Sequence, residues 1–201
     1  MASGGVARGR LAEERESWRR SHPHVRAIIL SLRLSPRPFQ YSSCTLACRF
    51  KIDRCDEICF ALLLFQGFVA KPTTLPDGSV NLMVWNCIVP GKEGTDWEGG
   101  YFPLTLTFDE NYPTSPPVCK FPAGFFHVNV YNTGAVCLSI LGGGWKPSIT
   151  VRQILIGIQD LLDNPNPASA AQGLCNDLLV TNLPEYKNRI RQQAKRYPMR
   201  V

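Results

Sequence analysis

The hydrophobic residues of this chain keep two different periods, and they keep them in separate stretches. In "NLMVWNCIVPG" Met83, Trp85, Cys87 and Val89 fall on one side of a two-residue repeat, which Pro90-Gly91 ends. In "YFPLTLTF" Phe102, Leu104, Leu106 and Phe108 alternate with Tyr101, Pro103, Thr105 and Thr107. The turn "NYPTSPPVCKF" is ruled by proline and leads to a short predicted strand at 118–121; Tyr112-Pro113 and Pro116-Pro117 are candidate cis bonds. Further on the period becomes 3.6. "SITVRQILIGIQDLLDNP" lines up Val151, Ile154, Leu155, Ile158, Leu161 and Leu162 on one stripe, and Pro165 closes it. "ASAAQGLCNDLLV" predicts a short helix, and "PEYKNRIRQQAKRY" sets Tyr186, Ile190 and Ala194 four residues apart on a basic helix. Near the start, Leu11, Arg15 and Trp18 share a face of a helix predicted over 8–21, expected to stop before Pro23. Strands gathered in one stretch and helices in another dictate an α+β fold with an antiparallel meander sheet.

Between the two periods, residues 122–147 have none. They are rich in Gly, Asn and Pro, and an irregular loop of that length inside a compact domain is usually functional. It contains "FFHVNVYNTGAVCLSILGGGW", with His127, Asn129 and Cys137 inside eleven positions. Cys137 reads either as a small buried thiol or as a nucleophile.

Bulk properties narrow the classes. The chain has 201 residues, enough for one domain with a real core. Its 22 basic and 16 acidic residues leave +6, too mild for a dedicated nucleic-acid binder and suited to an acidic protein partner. "MASGGVARGRLAEERESWRR" lacks the apolar core of a signal peptide, so the eight cysteines are expected reduced, in the nucleus and cytoplasm. The longest apolar run, residues 58–70, holds Gln66 and is too short to span a bilayer, so no membrane partner is expected.

The order of the motifs is specific. "NLMVWNCIVPGKEGTDWEGGYFPLTLTF", "YPTSPPVCKFP", "FFHVNVY", "GAVCLSIL" and "ITVRQILIGIQDLLDNPNP" resemble the ubiquitin-conjugating enzyme family. "RLAEERESWRRSHP" together with "PGKEGTDWEGG" resembles its SUMO-conjugating branch, the plant type in particular. The likeness covers residues 4–24 and 67–201. It implies a core domain of four helices and a four-stranded sheet formed by 1–24 and 67–201. It implies that Cys137 carries the modifier as a thioester and passes it to substrate lysines. The partners implied are SUMO, the SUMO-activating enzyme, SUMO ligases and protein substrates, with no specific nucleic acid. No cofactor or metal is expected, since ATP is consumed by the activating enzyme.

That chemistry asks for a reachable thiol more than for a strong base. A free cysteine titrates near ~8.5, so a minor thiolate fraction suffices for acyl exchange. His127 is therefore read as structural, tying down the loop backbone. Asn129 has two readings, an oxyanion donor or a loop-turning residue; an oxyanion donor is typically worth ~10²–10³ in rate. By the resemblance Tyr131, Thr133 and Ala135 lie on the approach of the substrate lysine, and Lys120 meets an acidic acceptor motif. Arg15, Arg19 and His22 match positions that bind a second SUMO or the activating enzyme non-covalently.

The chain also departs from the family pattern. Val128 stands where the family has proline, restoring an N–H and predicting a looser loop with Asn129 less well placed. Ser169 stands where the family has an Asp that helps position and deprotonate the lysine, so lysine transfer is expected to slow by roughly ten- to a hundred-fold. "GGG" at 142–144 is shorter and more neutral than in the SUMO branch and has the length of ubiquitin-type members. Val118 replaces a lysine. A catalytically weakened binding isoform and a ubiquitin-conjugating enzyme are therefore the competing functions.

Residues 25–66 are an insert of 42 residues with no clear period. Cys44, Cys48, Cys55 and Cys59 read C-x3-C-x6-C-x3-C, a spacer short of the usual zinc pattern. The insert reads as translated intron. Val25 codons begin GT, Gln66 can be CAG, "FALLLF" can be written almost wholly in pyrimidines, and the frame is kept. It is expected to be disordered, and a long loop costs only about 0.6 kcal/mol per doubling of length to close. Limited proteolysis of the full chain should cut first inside 25–66. A protease-resistant, zinc-dependent fragment spanning Cys44 to Cys59 would show instead that the segment folds around metal.

Overall fold

The computed structural model describes residues 3–33 and 67–199, with side chains described for 5–20 and 67–199. Helix α1 is Ser3–Arg33, and the strands β1 Val69–Thr74, β2 Val80–Pro90, β3 Tyr101–Thr107 and β4 Val118–Lys120 follow. Helices α2 Val151–Asp163, α3 Gly173–Thr181 and α4 Leu183–Arg196 complete the described α-helices. The strands form one antiparallel meander in the order β1-β2-β3-β4. Four strands and four helices among the described residues give the α+β architecture that the two periods dictate.

The alternation in the sequence is the alternation in burial. Trp85, Cys87 and Val89 on β2 and Phe102, Leu104 and Leu106 on β3 are all buried, against half-exposed or exposed residues between them. Their register is Trp85 opposite Leu106, Cys87 opposite Leu104 and Val89 opposite Phe102, so one face of the sheet is apolar along its length. Strand β1 was hidden to a period reading because Pro72 interrupts it. It lies at the sheet edge, where a missing N–H is tolerated, and its register slips between Pro72 and Thr73.

Helices α1 and α2 lie against the sheet at β2. All six residues of the predicted stripe on α2 are buried, each contributing roughly 1.5–3 kcal/mol of hydrophobic free energy. Thr150 starts α2 with a full capping box. Its hydroxyl accepts from the Gln153 N–H and the Gln153 side chain accepts from the Thr150 N–H, an arrangement worth ~1 kcal/mol. Tyr186, Ile190 and Ala194 of α4 are buried as their spacing requires, and the Tyr101 N–H donates to Tyr197 O to hold the chain end against β3.

Three expectations are corrected here. Helix α1 does not stop before Pro23 but runs to Arg33. A proline disfavours the preceding residue's helical conformation without forbidding it, and "VRAIILSLR" beyond it is built largely of Ala, Leu, Ile and Arg, which propagate a helix. The first nine residues of the insert, 25–33, are accordingly helical rather than irregular; residues 34–66, with Cys44, Cys48, Cys55 and Cys59, lie outside the described residues. Of the two candidate cis bonds, Tyr112-Pro113 is cis and Pro116-Pro117 is not.

Candidate active site

The aperiodic stretch is built on buried rings. Phe121 and Phe125 stack at 4.2 Å, Phe125 stacks on Trp97 at 6.0 Å, and Trp97 meets Phe102 edge-on at 5.5 Å. His127 lies 5.8 Å from Trp97 and is wholly buried. Gln193 of α4 clamps the backbone beside it, accepting from the Phe126 N–H at 2.7 Å and donating to Phe126 O at 3.2 Å. Gln172 donates to Phe125 O at 2.8 Å. Through these contacts a segment with no helix or strand of its own is fixed between the sheet and α4.

His127 is structural in this geometry. Its Nδ1 accepts the Asn129 N–H at 3.0 Å, so the proton sits on Nε2, which lies beside the Leu161 and Leu162 backbone without reaching hydrogen-bond geometry with either. Burial pushes its pKa down to about 4.

Asn129 is wholly buried and all of its amide is engaged. Nδ2 donates to Asn166 O at 2.8 Å and to Ser169 O at 3.0 Å, and Oδ1 accepts the Asn166 N–H at 2.7 Å. Its backbone carbonyl accepts the Cys137 N–H at 2.8 Å. One residue thus joins the thiol segment to the 166–169 turn. Of its two readings the geometry fits the loop-fixing one, because both N–H groups are already committed. The expectation that Val128 leaves Asn129 poorly placed fails for the same reason. Val128 is buried, and its carbonyl accepts from both the Ala171 and Gln172 N–H groups, tying down the same neighbourhood.

Beyond Asn129 the chain makes a small hairpin onto β4. Val130 bridges to Val136, Ala135 bridges to Lys120, and the Val136 N–H donates to Cys119 O at 3.0 Å. The turn needs Gly134. Its φ is +88°, and a Cβ there would sit 1.9 Å from Phe121 O. Tyr131 and Thr133 are exposed on the hairpin, Ala135 is half-buried, and Lys120 is exposed beside it. Cys137 follows the hairpin directly. Asn129, Tyr131, Thr133, Ala135, Lys120 and Ser169 are therefore brought to one region around Cys137, Ser169 as an exposed residue in the turn that Asn129 holds.

The other described cysteines differ from Cys137 in exposure. Cys87, Cys119 and Cys175 are buried, while Cys137 is half-buried. Burial raises the Cys87 thiol to about 12 and the Cys175 thiol to about 11, and pushes Cys119 up as well, so none of the three yields a thiolate readily. No cluster of His, Cys, Asp or Glu able to hold a metal occurs among the described residues.

Arg15 and Arg19 lie elsewhere. With Trp18 on α1 and Ala70, Lys71 and Pro72 on β1 they line an open concavity of about 430 Å³. His22 belongs to α1, and its side chain lies outside those described. Lys71 escaped sequence reasoning because β1 is too short and broken to show a period. Gln193 and Asn166 escaped it too; the one available signal was a polar Gln193 three residues after Ile190 on an otherwise apolar helix face.

Comparison with known proteins fits this arrangement. Residues 64–194 match the sequence profile of the family described as "Ubiquitin-conjugating enzyme". The chain is 52% identical over 203 residues to "SUMO-conjugating enzyme SCE1" of Arabidopsis thaliana, with all of both chains covered. It is 44% identical over 196 residues to "Sumo-conjugating enzyme ubc9" of Dictyostelium discoideum, covering 96% of this chain and 97% of that one. To "SUMO-conjugating enzyme UBC9" of Caenorhabditis elegans it is 37% identical over 195 residues, covering 96% and 92%. A profile and full-length relatives that agree with a four-stranded meander, four helices and a half-buried loop cysteine leave one classification: the chain belongs to the ubiquitin-conjugating enzyme family.

The buried neutral His127 has a measurable consequence. The unfolded chain takes up its proton near pH 6.5, the folded chain only at about 4. The stabilisation from keeping the imidazole neutral is therefore complete above pH 6.5 and drains away as the pH falls from 6.5 toward 4, on the order of 3 kcal/mol in all. Urea unfolding across this range should show a shallower pH dependence for His127→Gln than for the wild type, although the variant is less stable at pH 7. Equal slopes would mean that His127 is not held neutral.

Proposed function

We propose that this chain is a SUMO-conjugating enzyme that works through a thioester on Cys137. The observation that carries the reading is the placement of Cys137. Among the described cysteines it is the one that is not buried, it directly follows the hairpin, and its N–H is tied through Asn129 to the 166–169 turn. The named relatives, matched over nearly their whole lengths, supply the modifier.

The chemistry follows from that placement. The Cys137 thiolate attacks the activating enzyme's thioester; a new C–S bond forms and the activating enzyme's thiolate leaves. A substrate lysine amine then attacks the same carbonyl, the C–S bond breaks, Cys137 leaves as thiolate and the amine gives up a proton. Both steps run on a reachable thiol and need no cofactor in this chain, the ATP being spent by the activating enzyme. Asn129 acts as a positioning residue that fixes the two walls of the site relative to each other. The lysine arrives over Tyr131, Thr133 and Ala135, with Lys120 facing an acidic group of the substrate and Ser169 on the opposite wall. A SUMO ligase would bring substrate to this face. Arg15 and Arg19, with Lys71 beside them, present cations to an acidic face of the activating enzyme or of a second SUMO. A working thioester cysteine must stay reduced, which favours a reducing compartment and supports our reading of a nuclear and cytoplasmic enzyme.

The uncharged Ser169 favours a second reading in part, an enzyme that charges well and discharges slowly. A free lysine titrates near ~10.4, so under one in ~10³ is neutral at pH 7 without help.

Incubation with activating enzyme, SUMO and ATP should give a reductant-sensitive adduct. Cys137→Ala should abolish it and Cys87→Ala should keep it; an adduct that survives Cys137→Ala sinks the assignment. Charging with ubiquitin and its own activating enzyme, but not with SUMO, would reassign the modifier. Single-turnover transfer to lysine should rise roughly ten-fold in Ser169→Asp with charging unchanged. An unchanged transfer rate would show that charge at 169 is not what limits discharge.

A further inference from the structure

Three glycines in a row, 142–144, follow the Cys137 segment, and all three are exposed. Glycine backbone has no side chain to pack and the widest choice of conformations, so this turn cannot hold itself. It is held from its ends. On the Cys137 side, Ser139–Leu141 forms a single 3₁₀ turn, and the Ser139 carbonyl accepts the Gly142 N–H at 3.1 Å and the Gly144 N–H at 2.9 Å. On the far side stands Trp145, whose N–H donates to Gly142 O at 3.0 Å.

Trp145 is anchored in turn. Its indole Nε1–H donates to Pro113 O at 2.9 Å, and its ring lies 6.1 Å from that of Tyr112. Tyr112 is buried against Phe108 at 4.8 Å, and its hydroxyl donates to Glu14 Oε1 at 2.8 Å. Glu14, on α1, also accepts the Val151 N–H at the start of α2 at 2.7 Å and pairs with Arg10 at 3.1 Å. Its side chain is only 10% exposed, so these bonds are made largely out of water. A carboxylate fixed by two helices therefore holds the phenol, the phenol ring lies against the indole, and the indole closes a turn otherwise held only by backbone bonds to Ser139 O and Gly142 O.

We propose that Glu14 and Tyr112 are positioning residues for the reaction at Cys137: they fix Trp145, and through it the glycine turn that follows the Cys137 segment. The inference rests on Cys137 as the transferring thiol. It gives α1 a second task besides presenting Arg15 and Arg19, and it explains how a turn of three glycines can keep one arrangement so soon after a reacting cysteine in the chain.

Glu14→Ala strips the Val151 N–H and the phenol of their acceptor together and endangers the fold, so the test uses Tyr112→Phe. That change keeps the ring and removes one hydroxyl. Hydrogen exchange by NMR should quicken about five-fold at the Gly144 amide and the Trp145 indole, the factor expected for one lost hydrogen bond. Amides of the β2–β3 pairing should be unaffected. Single-turnover discharge from Cys137 should slow by about three- to ten-fold, as misplacement near a reacting centre does. The second variant adds Gly143→Ala. A Cβ there meets nothing within 4 Å and the φ is not positive, so alanine stiffens the turn without strain. It should restore at least half of the lost rate in the Tyr112→Phe background. Unchanged exchange at Gly144, an unchanged discharge rate, or no recovery with Gly143→Ala would each overturn the proposal. The exchange measurement needs no modifier, so its failure is distinct from failure of the wild type to form a SUMO adduct, which would sink the functional reading instead.

Discussion

The rings of Trp97, Phe121, Phe125 and His127 lie packed beneath a stretch of chain that has neither helix nor strand, and the placement of the residues around Cys137 traces back to that packing. A segment without secondary structure has to find partners for its buried backbone groups one at a time. Here Gln193 takes both polar groups of Phe126, Gln172 takes the carbonyl of Phe125, and the imidazole of His127 takes the N–H of Asn129. Each of those side chains is held by burial of its own or its neighbours' apolar parts. Hydrophobic packing supplies the free energy and the polar contacts supply the geometry.

Asn129 shows how that geometry reaches the chemistry. A carboxamide has two donors and an acceptor in one plane, and all are spent on the backbone of Asn166 and Ser169. Its own carbonyl holds the N–H of Cys137. The two walls of the site belong to segments about forty residues apart in sequence, and this side chain, together with the Val128 carbonyl, joins them. That role asks nothing of the thiol's acidity. It fits a reaction in which acyl exchange is intrinsically easy once two groups are brought together.

The structure also separates the tasks in space. The face around Cys137 offers Tyr131, Thr133, Lys120 and Ser169, mostly exposed and only lightly charged, as suits transient contact with many substrates. The concavity between α1 and β1 gathers Arg15, Arg19 and Lys71 around Trp18, as suits an acidic partner. Helix α1 takes part in both, because Glu14 on the same helix reaches the start of α2 and the phenol of Tyr112.

The sequence by itself determined the parts of this protein that repeat. Period-two burial on β2 and β3, the stripe on α2 and the spacing of Tyr186, Ile190 and Ala194 are local consequences of side-chain geometry, legible before any fold is known. The sequence also pointed to Cys137, because an aperiodic loop rich in Gly and Asn inside a regular domain is itself a signal. It could not tell whether Asn129 faces the thiol or the neighbouring turn, nor that Val128 leaves it well seated. It missed β1, because one proline is enough to blur six residues. It stopped α1 too early, because a proline is a bias that the residues beyond it can outweigh. Only the tertiary structure decided which of the described cysteines is not buried, which polar side chains clamp the loop, and that Glu14 joins α1, α2 and Tyr112. Those contacts link residues from 37 to 137 positions apart. No local rule encodes such a distance; it is set by which apolar surfaces the whole chain can bury at once.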